Sequence, residues 1–171
     1  GGALFVERSA FTYVLYSGGP LRTHGHVHHP GEVEDEGKAH AYRVHFEGGQ
    51  AQGSVGSVRQ PQFENFFIGA DDSHWGTGCG VFGEVLLKNV WPGIDLRLDG
   101  TNGLKYDLIV APGANPDLIR FRYEGQDGIQ LVDGELRIST TAGGIVEDAP
   151  RSWVNLLSGI DNIREPVPSA Y

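Results

Sequence analysis

Residues 91–125, WPGIDLRLDGTNGLKYDLIVAPGANPDLIRFRYEG, hold three alternating apolar–polar patterns separated by two turn clusters. Ile94, Leu96 and Leu98 alternate with Asp95, Arg97 and Asp99, and Ile119, Phe121 and Tyr123 alternate with Arg120, Arg122 and Glu124. Successive side chains of a strand point to opposite faces, so each pattern reads as a half-buried strand. Between the first two patterns, Asp99-Gly100-Thr101-Asn102-Gly103 offers Asp-Gly and Asn-Gly steps, which reach positive φ cheaply and close hairpins. Ala111-Pro112-Gly113-Ala114-Asn115-Pro116 then breaks the sheet.

The same signals recur along the chain. Residues 4–7 and 11–16 read as a hairpin, with Phe11, Tyr13 and Leu15 on one face. Residues 40–47 place Tyr42, Val44 and Phe46 on one side, and further strands are expected at 81–90, 104–110, 145–147 and 153–157. Asp133-Gly134 joins 129–132 to 135–139 as a two-residue turn. Residues 21–39 and 48–59 have little to bury and read as loops, the first rich in His and acid. Residues 63–75 are dense in aromatics, and Phe63, Phe66, Phe67 and Trp75 are expected to plug the core across the end of a sheet.

Roughly ten strand patterns with turns between them predict an all-β fold. The expected architecture is a single, mostly antiparallel β-sandwich over residues 1–159, with a linker or tail over 160–171. Its expected core is Phe5, Phe11, Tyr13, Tyr42, Val44, Phe46, Val85, Leu87, Ile94, Leu96, Tyr106, Leu108, Ile119, Phe121, Leu136 and Ile138.

Composition narrows the function classes. The net charge of −9 disfavours nucleic-acid backbones as partners. No long apolar run exists in the sequence, so no membrane span is expected. The 26 glycines and 9 prolines suit strands broken by tight turns. The chain lacks Met, and an excerpt or processed product of a longer protein is expected.

Several residue sets carry possible chemistry. His24, His26 and His28 share one side of an extended segment and, with His29, form a donor set suited to Zn²⁺, Cu²⁺ or Ni²⁺, with Glu32, Glu34, Asp35 or Glu36 nearby. Incidental affinity of a solvated loop is the plainer account. Asp71, Asp72, Asp99 and Asp107 supply the oxygens Ca²⁺ favours, but the spacing of a calcium loop is missing and turn positions explain them. Apart from such ions, Zn²⁺ or Ca²⁺ foremost, no cofactor is expected. Cys79 with His74 lacks an orienting third group, and a structural thiol is the better reading. Glu84 and Asp95 form a nominal glycosidase pair, although each sits at an outward strand position. Among Trp75, Trp91 and Trp153, Trp91 before Pro92-Gly93 is expected to be the exposed one, with a face for stacking on a sugar.

Several segments together carry a family resemblance: GGALFVERSAFTYVLY, HAYRVHFEG, NFFIGADDSHW, VWPGIDLRLDG, LKYDLIVAPGANPDLIRFRYEG and GELRISTTAGGIVEDAP. They resemble the N-terminal domain of unknown function of large secreted surface proteins of the Bacteroidota type, which carry SBBP β-propeller-like repeats or gliding-motility-associated regions. The resemblance implies export by the type IX secretion route and an extracellular or cell-surface place. It implies no catalytic residues. The expected function is a non-catalytic adhesion or assembly module that contacts a protein partner or a second copy of itself. A metal- or glycan-binding module is the alternative, and a hydrolase a remote one.

Overall fold

A computed structural model describes residues 1–18, 37–67, 69–158 and 161–171, with the side chains of 156–158 and 161–163 outside that description. The fold is all-β. Its strands are β1 (Gly2–Val6), β2 (Ala10–Ser17), β3 (Lys38–Phe46), β4 (Gly53–Phe66), β5 (Gly76–Trp91), β6 (Ile94–Asp99), β7 (Lys105–Val110), β8 (Phe121–Glu124), β9 (Gly128–Val132), β10 (Glu135–Thr140), β11 (Gly143–Glu147), β12 (Ser152–Ser158) and β13 (Asp161–Val167). They form sheets ordered β1-β2-β3-β8, β4-β5-β6-β7, β11-β10-β9 and β12-β13. Among the described residues no helix is long and apolar enough to cross a membrane.

The chain divides into two compact units: Gly1–Phe5, Thr12–Arg43 and Tyr123–Tyr171 form the first, and Val6–Phe11 and Val44–Arg122 the second. In the first, the amide of Tyr16 donates to the Gly1 carbonyl across the β1–β2 hairpin. The rings of Tyr13 and Tyr42 stack at 4.8 Å. The β9–β10 turn has Asp133 at φ 54° and Gly134 at φ 84°, the two positive values that a primed two-residue turn requires. His40 spans two elements, with Nδ1 2.8 Å from the Thr141 hydroxyl and Nε2 2.7 Å from the Gly125 carbonyl.

In the second unit two sheets face each other across an aromatic cluster. Phe11 of β2, Phe46 of β3 and Phe121 of β8 meet Trp91 of β5 and Tyr106 of β7, with ring centroids 4.8–6.2 Å apart. The register Leu87↔Leu96 and Leu96↔Leu108 sets the aliphatic layer beside it. Ile94, Leu96 and Leu98 are buried and alternate with more exposed Asp95, Arg97 and Asp99, as the period of two demands.

Most of the expected core is buried or half-buried. Phe5 is the exception at 56 % exposed. It lies on β1, at the edge of its sheet, where no described strand lies along one flank. The stretch 48–59 is not a loop throughout: β4 starts at Gly53 and pairs with β5 from Gly53↔Lys88 onward. Both of its faces are largely exposed, so no apolar alternation marks it in the sequence. Residues 160–171, read as a linker or tail, hold β13, which pairs with β12 from Ser152↔Val167 to Ser158↔Asp161. Beyond it the Tyr171 hydroxyl donates to the Asp148 carbonyl at 2.9 Å.

Candidate interaction surface

β4 and β5 are the longest strands described, at 14 and 16 residues, and β6 has only 6. The pairing of β5 with β6 ends at Glu84↔Asp99, and one further bond runs from the Gly100 amide to the Gly83 carbonyl. Beyond that point residues 76–82 of β5 pair with β4 alone. The result is a two-stranded arm that extends past the four-stranded sheet. Among the described residues no strand lies along the second edge of β5 there.

Local chemistry builds the arm. The Phe82 ring lies where a side chain at Gly56 or Gly80 would stand, at 2.6 Å and 3.2 Å from the respective Cβ positions. The Arg59 guanidinium sits 5.9 Å from the centre of that ring, at cation–π range. At the tip, the Asn65 side-chain oxygen accepts from the Gly78 amide at 2.8 Å, and Gly78 takes φ 64°. A short 3₁₀ turn over Asp72–His74 follows, capped by Asp71, whose carboxylate accepts from the Ser73 amide at 3.0 Å. Bonding from the Ser73 hydroxyl, then from its amide, holds the Asp71 carboxyl below its usual range. Phe67 and Trp75 meet edge to face at 5.2 Å, and the Trp75 indole N–H donates to the Gly69 carbonyl.

These aromatics do not plug a core. Phe63, Phe66, Phe67 and Trp75 are 61 %, 52 %, 62 % and 41 % exposed. The expectation fails because the arm carries them beyond the sheets that would cover them, a placement that residue type does not encode. These exposed aromatics cluster beside a stretch of β5 that no described strand covers on its second edge.

Over residues 1–171 the chain matches the family described as Domain of unknown function (DUF7948). The chain belongs to that family. No curated protein and no solved structure matches it.

The structure of this DUF7948 domain places the other candidates as follows. His24, His26, His28 and His29 lie outside the described residues. Among those described, no group of three or more His, Cys, Asp or Glu side chains is gathered as a metal would need. Asp99 caps its own turn, accepting from the Thr101 hydroxyl and amide, bonds that hold its carboxyl low. Asp107 pairs with Arg97 and Lys105. Burial pushes the Asp107 carboxyl up, and the two cations outweigh it and hold the group below its usual range. Glu84 accepts from the Ser57 hydroxyl at 3.1 Å, and Asp95 accepts from the Asn89 amide at 2.6 Å. Glu84 stands opposite Asp99, four positions along β6 from Asp95. That spacing separates the two carboxylates by about 13 Å, beyond the reach of a glycosidase pair.

Trp91 is the reverse of its expectation. It is 2 % exposed and has no face to offer a sugar. Its indole N–H donates to the Glu47 carbonyl at 2.9 Å, and its ring packs on Phe46 and Phe121. Pro92-Gly93 marks the turn, but the β5 register ends one residue earlier, at Trp91↔Ile94, and turns the ring inward. The Trp153 ring lies 4.9 Å from the Arg164 guanidinium, which covers one side of it.

The first unit holds a polar cluster that the sequence does not signal. The hydroxyl of Tyr123 donates to the Glu147 carboxylate, 3.2 and 3.3 Å from its two oxygens. The Tyr171 hydroxyl stands 3.5 Å from the same carboxylate. Burial, then the charge of Glu147, pushes the Tyr13 and Tyr123 hydroxyls well above the ordinary phenol range. Tyr42 is pushed the same way by burial, Tyr13 and Glu147.

Proposed function

We propose that this chain is a non-catalytic module of a larger secreted protein and acts in adhesion or assembly at the cell surface. The observation that carries this reading is the β4–β5 arm, with a β5 edge that no described strand covers and with exposed Phe63, Phe66, Phe67 and Trp75. Strand addition supplies affinity through main-chain bonds, and aromatics beside the edge supply contact area. The partner is a protein, which includes a second copy of this chain. The acidic net charge of −9 speaks against nucleic acid. The secreted setting, by the type IX route, rests on the resemblance of segments such as KYDLIVAPGANP and IRFRYEG to secreted surface proteins.

The test is binding of the fluorescently labelled chain to the outer surface of cells that produce the parent protein. Wild type is compared with a Phe63→Ser/Phe67→Ser/Trp75→Ser variant whose fold is verified by circular dichroism. The expected result is saturable binding that the variant loses by tenfold or more. Equal binding by the two proteins, or none by wild type, overturns the reading.

A further inference from the structure

We infer that Asn102 is a site of spontaneous covalent modification: in the folded chain the Gly103 amide attacks its side chain, ammonia leaves, and the residue becomes isoaspartate or aspartate. This stands apart from the adhesion reading and from the choice of partner.

The chemistry needs an uncharged carboxamide, a following residue without a Cβ, and room for the two to meet. The chain has four steps of Asp or Asn before Gly: Asp99-Gly100, Asn102-Gly103, Asp127-Gly128 and Asp133-Gly134. Three of them carry a carboxylate, whose charge repels a nucleophile. Asp99 is held further, since its carboxylate accepts from Thr101 and the Gly100 amide donates to the Gly83 carbonyl at 2.9 Å.

The other asparagines are tethered or wrongly followed. The Asn65 side-chain oxygen accepts from the Gly78 amide, and bulky Phe66 comes next. Asn89 accepts from the Gly93 amide at 2.9 Å, with β-branched Val90 after it. Asn115 accepts from the Asp117 amide at 3.0 Å, and Pro116 has no amide hydrogen to lose. Asn155 and Asn162 precede Leu156 and Ile163.

Asn102 meets every condition. It is exposed in the loop between β6 and β7, and nothing among the described residues bonds its side chain or accepts from the Gly103 amide. Gly103 takes φ 94°, and no heavy atom lies within 4 Å of the place a Cβ would occupy. The wide conformational range of glycine lets its nitrogen swing toward the carboxamide carbon without a clash.

The Gly103 nitrogen gives its proton to hydroxide and bonds to Cγ of Asn102. The Cγ–Nδ2 bond breaks and ammonia leaves, taking a proton from water. A five-membered succinimide remains, and water opens it at either carbonyl. Opening at Cγ gives aspartate, and opening at the main-chain carbonyl gives isoaspartate. One water is consumed and one ammonium released for each carboxylate formed.

Either product moves the net charge from −9 to −10, because one neutral amide becomes one carboxylate. Isoaspartate also routes the main chain through Cβ, which adds one carbon to the loop closed by the Asp99↔Lys105 pair. That loop lies against the base of the β4–β5 arm, where a Cβ at Gly83 would lie 2.8 Å from the Thr101 methyl.

The experiment incubates the full folded chain at neutral and at mildly alkaline pH, in water enriched in heavy oxygen, beside the same chain unfolded in urea. Peptide mass spectrometry locates the label, and electron-transfer fragmentation tells isoaspartate from aspartate. The expected result is that Asn102 takes up solvent oxygen before any other asparagine, faster at the higher pH and at a rate within a factor of a few of the unfolded chain. Gly103→Ala should slow the uptake by tenfold or more. Asn102→Gln, which would have to close a six-membered ring, should abolish the early label without a change at a buried position. No label at Asn102 overturns the inference. So does a folded chain that reacts tenfold slower than the unfolded one, since the loop would then hold the two groups apart. Uptake that ignores both substitutions of the step, or that shows no isoaspartate, assigns the label to direct hydrolysis and overturns it as well.

Discussion

The indole N–H of Trp91 donates to the Glu47 carbonyl at 2.9 Å and ties the end of β5 to the turn that follows β3. The ring stands between Phe46 and Phe121, so one side chain joins the two sheets of the second unit by a hydrogen bond and by packing. Trp91→Phe removes the donor, leaves the Glu47 carbonyl without it and opens a void beside Phe46. The expected cost is about 2–4 kcal/mol of folding stability, read as a lower urea midpoint with an unchanged slope. A midpoint within error of wild type would refute this role for Trp91.

Two glycines beside aromatic rings should respond differently to the same methyl group. A Cβ at Gly49 would lie 2.7 Å from the Trp91 ring, which is buried and cannot retreat. A Cβ at Gly56 would lie 2.6 Å from the Phe82 ring, which is 40 % exposed and free to swing into solvent. Gly49→Ala is expected to cost about 1–3 kcal/mol, and Gly56→Ala under about 1 kcal/mol. Paired thermal melts decide between them, and equal losses would contradict the argument.

Alkaline stability should be governed by the first unit. Tyr13, Tyr42 and Tyr123 are raised above the ordinary phenol value in the folded chain, first by burial. Their contribution is fully present below the unfolded value of about 10 and is lost as pH rises beyond it, because only the unfolded chain ionises readily there. Absorbance at 295 nm should therefore show these three of the 6 tyrosines titrating together with the loss of far-ultraviolet circular dichroism. Smooth titration of all of them on an intact fold would rule this out.

The acid limb involves Asp107. Arg97 and Lys105 hold its carboxyl below the usual range against the opposing effect of burial. The stability it contributes is present above the unfolded carboxylate value of about 3.9 and is lost as pH falls below it. Asp107→Asn should destabilise the chain at pH 7, with a deficit that shrinks toward pH 2. Urea titrations of both proteins at several pH values measure this, and a deficit independent of pH would exclude the ion pairs as its source.

The strands of the sheet interiors were legible because burial on one face imposes a period of two. Ile94, Leu96 and Leu98 show it, and so do Tyr42, Val44 and Phe46. The Asp133-Gly134 turn was legible because its backbone demands residues that tolerate positive φ. β4 and β13 gave no such signal. Along β4 both faces meet solvent, and where neither face is buried no alternation is selected.

The candidate surface was the least legible part. Phe63, Phe66, Phe67 and Trp75 have the residue types of a core, and Trp91 sits at a turn that suggested exposure. Their burials are the opposite of those expectations. By itself the sequence determined the strand patterns, the hairpin turns and the acidic, all-β character of the chain, since these follow from local conformational preference and from the two-residue period. Only the tertiary structure decided which aromatics are covered, because burial depends on where β6 stops beside β5 and on which strands lie at an edge, and both are set by pairing between segments far apart in the chain.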